Sequence, residues 1–127
     1  MSLGVHMIPI VIAAPPGPLL DALQSFLRAQ PEIVLVAIAS DVDRARQAAC
    51  RPEVEALVLD LALAEERTLE LIAWLHQTRP LLRSIALAEN RPQQRLSLAA
   101  GAHRSLLKGC LDEDLVAALR GEGEEDR

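Results

Sequence analysis

The chain of 127 residues has no tyrosine, and its only aromatic residues are Phe26 and Trp74. Two rings cannot build a surface on which single-stranded nucleic acid stacks its bases. The formal net charge of −5 argues in the same direction, because affinity for a phosphate backbone comes from clustered Lys and Arg. Cys50 and Cys110 have neither a close metal-type spacing nor a secretory context, so both are expected to be small buried or half-buried residues. No apolar run approaches the roughly 20 residues of a membrane span, and no basic-then-apolar opening resembles a secretion signal. The expectation is a cytoplasmic protein without a membrane partner. Also missing are a Ser-His-Asp order, a Gly-rich phosphate loop and a Cys-x-x-Cys pair, so no ordinary enzyme is expected.

What is present is a foldable core. Half of the residues are apolar and the mean hydropathy is +0.18, enough for one domain of ordinary size. Residues 1–7 read as an N-terminal extension or expression scar, 8–120 as the domain, and 121–127 as an acidic tail or the start of a linker. Strand-like runs at Ile8 to Ala13, Ile33 to Ile38, Ala56 to Asp60, Ser84 to Ala88 and Arg104 to Leu107 alternate with helical patterns. Leu19, Leu20, Leu23, Phe26 and Leu27 set the first helical stripe, which Pro31 stops. Ser40 with Asp43 suggests a capping-box variant for the second helix, running to about Cys50. The third is expected to bury Leu69, Ile72, Leu75 and His76. Asn90 or Arg91 before Pro92 opens the fourth, which Gly101 ends, and Asp112 caps the fifth.

Five β-α pairs with continuously apolar strands imply a parallel sheet covered on both faces, most simply a flavodoxin-like (βα)5 sandwich of strand order 2-1-3-4-5. Sites in such sheets lie at the carboxyl ends of the strands. Here those ends carry Ala14-Pro15-Pro16 within "IVIAAPPGPLL", then Asp60, Ala88-Glu89 and Lys108.

From Ile8 to Arg120 the chain resembles a response-regulator receiver domain, the CheY-like phosphoacceptor module of two-component signalling. The specific pieces are "ALVLDL", which puts Asp60 at the end of the third strand, and "AAGAHRSLLKG", which puts Lys108 at the end of the fifth. The stretch from Pro18 to Ala49 is similar to receivers that precede helix-turn-helix output domains. The resemblance implies Asp60 as the phosphoacceptor equivalent and Lys108 as its partner lysine. It also implies an acidic pair after the first strand, which falls on Pro15 and Pro16. The hydroxyl at the end of the fourth strand falls on Ala88, and the switching aromatic of the fifth on Ser105. The Pro and Gly that shape the loop after the phosphoacceptor fall on Ala64 and Thr68.

A proline supplies no carboxylate and no N–H, whereas Mg²⁺ prefers several hard oxygen ligands. The departures therefore point to a degenerate receiver, a pseudo-receiver that acts through protein contacts with no cofactor, as the regulatory half of a transcriptional regulator. One alternative is a working receiver that phosphorylates Asp60 with Mg²⁺ at a rearranged site. Another is a small-ligand sensor whose pocket is lined by Pro15, Pro16 and Ala88 near Lys108. Of the other polar residues, Glu89 is expected as an exposed loop carboxylate, and Glu65-Glu66 at the start of the third helix. His76 and His103 are expected to be structural, His6 to lie in a loose end, and Trp74 to be a boundary or contact residue. Apolar runs Leu96 to Ala100 and Leu115 to Leu119 imply that either Leu96 or Leu98 faces outward, and that Leu96 with outward-facing Val116 and Ala117 forms the interface of a homodimer or of a partner signalling protein.

Overall fold

A computed structural model of the chain describes residues 6–109 and 111–122. Strands β1 (Ile8–Ala13), β2 (Ile33–Ala39), β3 (Ala56–Asp60), β4 (Arg83–Ala88) and β5 (Arg104–Leu107) alternate with helices α1 (Pro18–Arg28), α2 (Val42–Ala49), α3 (Glu65–Thr78), α4 (Arg91–Ala100) and α5 (Asp112–Leu119). Every pairing is parallel, in the order β2-β1-β3-β4-β5. This is the flavodoxin-like sandwich that the sequence pattern implies. Against expectation, β2 runs one residue further and β4 begins one residue earlier. Among the described residues, no helix is long and apolar enough to cross a membrane.

The strands are apolar throughout because helices cover both faces of the sheet. Ile10, Ile12, Val58, Ile85 and Leu87 pack with Leu20, Leu23 and Leu27 of α1 and Leu115 and Leu119 of α5. Val11, Ala13, Leu57, Leu59, Ala86 and Ala88 pack with Ala45 and Ala49 of α2 and Leu71, Ile72 and Leu75 of α3. Opposite Ile10 and Val11 stand Leu35 and Ala37, so Val36 is a bulge in the edge strand β2.

Helix ends set the loops at the carboxyl edge. Asp41, one residue after the expected Ser40, caps α2 by accepting from the Arg44 N–H at 2.8 Å. Asn90 caps α4 by accepting from the Gln93 N–H at 2.9 Å. Gly101 ends α4 with φ of 117°, and a Cβ there would lie 2.7 Å from Cγ of His76, so conformation and close approach both favour glycine. Asp112 is the first residue of α5 and Leu111 its cap position. Helix α1 ends at Arg28, short of Pro31.

Several side chains depart from their expected surroundings. The buried stripe of α3 is Thr68, Leu71, Ile72 and Leu75, with Leu69 half-buried and His76 exposed; a polar residue at its start hid this i, i+3, i+4, i+7 register. Val116 is 8% exposed, buried with Leu115, Ala118 and Leu119. At 100° per residue those four span about 160° of α5, a wider stripe than the minimum of about 100° on which its exposure was expected. Cys50 is exposed at the C-cap of α2, one residue beyond the buried Ala49; Cys110 lies outside the described residues. His6 Nε2 is 2.8 Å from Glu55 Oε1, hydrogen-bonded rather than loose.

Candidate functional site

Strand β3 is buried at all five positions and ends in a carboxylate. Asp60, its side chain 3% exposed, needs compensation, since an isolated charge in such a place is strongly unfavourable. Two donors supply it at the same oxygen: the Ala62 N–H at 2.9 Å and Lys108 Nζ at 2.7 Å from Oδ1. The first bond caps the short 3₁₀ turn Leu61–Leu63 that follows the strand. The second brings together the two residues at the ends of β3 and β5.

Lys108 is 19% exposed and serves two carboxylates, its Nζ also lying 2.8 Å from Glu89 Oε2. Burial pulls the Lys108 pKa down, but the hydrogen bonds and charges of Asp60 and Glu89 outweigh it and hold the pKa above the ordinary lysine value. Glu89 is exposed as expected, yet engaged. Its reach to Lys108 was not visible in the sequence, where only its adjacency to Ala88 signalled it.

The remaining positions frame this triad. Ala13 is in register with Leu59, so Pro15 and Pro16 leave the sheet beside Asp60, half-buried and exposed respectively. Ala88 is fully buried at the end of β4, and its carbonyl accepts from the Lys108 N–H at 3.0 Å. Ser105 is buried on β5, with its hydroxyl 2.8 Å from that of Ser97 on α4. The Ser97 hydroxyl is also 2.9 Å from the Gln94 carbonyl, so one hydroxyl donates to the carbonyl and the other across the pair. Gln94 Nε2 donates to the Ser105 carbonyl at 2.8 Å. Small hydroxyls thus clamp α4 onto β5. Among the described residues, Thr68 Oγ1 is the buried side-chain oxygen without a partner.

The amides of α4 also give its bearings. Gln93 donates to Glu65 on α3, whereas Gln94 donates to β5. Leu98 follows Gln94 by four residues and lies on the β5 side, while Leu96 follows Gln93 by three and lies on the α3 side. Both are exposed, on different flanks of the helix. Ala117 on α5 is half-buried. The histidines do not join the crevice: His103 Nδ1 accepts from the Ser84 N–H at 3.2 Å, and His76 packs beside Gly101. Trp74 is a boundary residue, with the Arg46 guanidinium 4.1 Å from its ring centre.

Comparison with protein-family models and with curated proteins found no match. Solved structures do match. The two-component response regulator, LuxR family, from Aurantimonas sp. SI85-9A1 is 19% identical with a TM-score of 0.80, over 92% of this chain and 88% of that one. The signal receiver domain of an HD domain-containing protein from Pseudomonas fluorescens Pf-5 is 23% identical with a TM-score of 0.79, over 95% and 90%. The RcsB response regulator of Salmonella typhimurium is 18% identical with a TM-score of 0.77, over 93% of this chain and 62% of that one. The chain therefore has the fold of response-regulator receiver domains.

Removing Lys108 should be the costlier way to break the triad. Lys108→Met leaves the Asp60 carboxylate buried with only the Ala62 N–H and should cost about 3 kcal/mol. Asp60→Asn leaves Lys108 with Glu89 and water and should cost about 1 kcal/mol. Urea denaturation of both variants checks the order. Because the Lys108 pKa is raised on folding, its contribution is complete below the ordinary lysine pKa of about 10.4. It is lost as pH rises through the higher folded value, so the gap between the wild type and Lys108→Met should close there.

Proposed function

We propose that this chain is a receiver-type regulatory domain that acts by protein contact, without a phosphoaspartate cycle and without enzymatic turnover of its own. The observation that carries the reading is the state of Asp60: its Oδ1 is engaged by Lys108 and by the Ala62 N–H, and the neighbouring loop offers prolines at 15 and 16. Phosphoryl transfer to a carboxylate depends on positioning and on neutralising the charge of the phosphoryl oxygens. In receivers a divalent cation supplies that charge, and the residues here do not fit one. Mg²⁺ takes near-octahedral oxygen ligands and is reluctant to lose water. Asp60 is a single carboxylate already paired with a cation, and among the described residues no group of three His, Cys, Asp or Glu side chains could hold a metal.

The output of such a domain is a surface. In this reading the domain docks through α4, β5 and α5 as a constitutive two-fold homodimer, the commonest closed symmetry. Leu98 supports that face because it is exposed on the β5 side of α4; with Val116 buried, Ala117 is the apolar contribution of α5. In the same reading the chain would be the regulatory half of a transcriptional regulator, with DNA contact made elsewhere than on this net-negative chain. The likeness to RcsB, whose structure is described in terms of DNA interaction, supports that placement.

Intact-mass measurement after incubation with acetyl phosphate and Mg²⁺ should find Asp60 unmodified; a phosphate adduct lost in Asp60→Asn would establish a working receiver instead. Sedimentation at tens of micromolar should find a dimer that Leu98→Glu dissociates and Leu96→Glu leaves intact. A wild-type monomer would overturn the homodimer and leave a different partner protein as the occupant of that face.

A further inference from the structure

Glu89 joins three elements. Its Oε2 accepts from Lys108 Nζ at the end of β5 at 2.8 Å, and its backbone N–H donates to Gln93 Oε1 in the first turn of α4, also at 2.8 Å. Gln93 Nε2 continues to Glu65 Oε2 at the start of α3, at 3.2 Å. Charge balance alone does not require this arrangement. Asp60 and Lys108 already neutralise each other, so Glu89 adds a second carboxylate to one ammonium and leaves the triad with one net negative charge.

What Glu89 adds is position. With its side chain fixed to β5 and its backbone fixed to α4, the loop between β4 and α4 has little freedom, and the Asn90 cap follows directly. We propose that Glu89 is a latch. It holds the first turn of α4 against β5 and α3, and release of its carboxylate loosens that turn while the Asp60–Lys108 pair stays closed. The two ends of the triad differ in exposure as this requires, the Glu89 side chain being 56% exposed and that of Asp60 3%. Water and salt compete strongly for the first and weakly for the second. The exposed Leu98 rides on the same helix, so the latch sets how α4 is presented. That consequence for docking rests on the function proposed above; the latch itself does not.

Amide hydrogen exchange on the whole chain tests it. In Glu89→Gln, the α4 amides from Gln94 to Ser97 should exchange about two- to fivefold faster, the range of an exposed ion pair, while Ala56 to Leu59 in β3 stay unchanged. Glu89→Asp, with the charge kept and the reach shortened, should fall between the two. Raising NaCl to about 0.5 M should move the same wild-type amides in the same direction. Unchanged α4 amides in Glu89→Gln, or an acceleration shared equally by β3, would overturn the latch. The acetyl phosphate result is independent of either outcome.

Discussion

The arrangement at the carboxyl edge depends on neutralising one buried carboxylate. Asp60 ends a strand whose five residues are all buried, and its compensating cation comes from β5 with β4 in between. Two strand spacings are about 10 Å, so a long flexible side chain has to cross the end of β4. Ala88 stands there, small and fully buried, with the Lys108 backbone bonded to its carbonyl. A lysine is suited to this crossing: its stem packs on apolar surface while its ammonium reaches a carboxylate. Asp60, Ala88 and Lys108 form one unit, and the prolines at 15 and 16 adjoin it without contributing charge.

From that unit polar contacts run outward to α4. Glu89 and Gln93 fix the start of the helix, and the Ser97–Ser105 pair with Gln94 fixes its middle on β5. The bond between the two hydroxyls holds one geometry, because any sliding of α4 would leave the buried Ser105 hydroxyl without its Ser97 partner. In the proposed reading this suits a face presented constantly: a small hydroxyl at position 105 binds the helix where a larger ring would need space to move.

Much of this was legible in the residues. Apolar strands of even spacing gave the sheet and its order, and the strand ends located Asp60 and Lys108, because strand termini are where periodicity breaks. Contacts between side chains distant in sequence were not legible. The Ser97–Ser105 clamp depends on the register of α4 over β5, and the engagement of Glu89 depends on how the loop turns; neither leaves a local signal. Val116 was misread because stripe width follows how deeply a helix sits, which composition does not encode. Thr68 was missed as a core position because a threonine breaks an apolar count even when it is wholly buried.

Lys108 compensates Asp60 in a crevice whose adjacent loop has no carboxylates with which to hold a cation. Magnesium titration followed by amide shifts tests it most directly, on the wild type and on Pro15→Asp combined with Pro16→Asp. No saturable shift should appear near Asp60 in the wild type up to several millimolar Mg²⁺, on the order expected for one already paired carboxylate, and a saturable one should appear in the double variant. Saturation in the wild type below that range would contradict it.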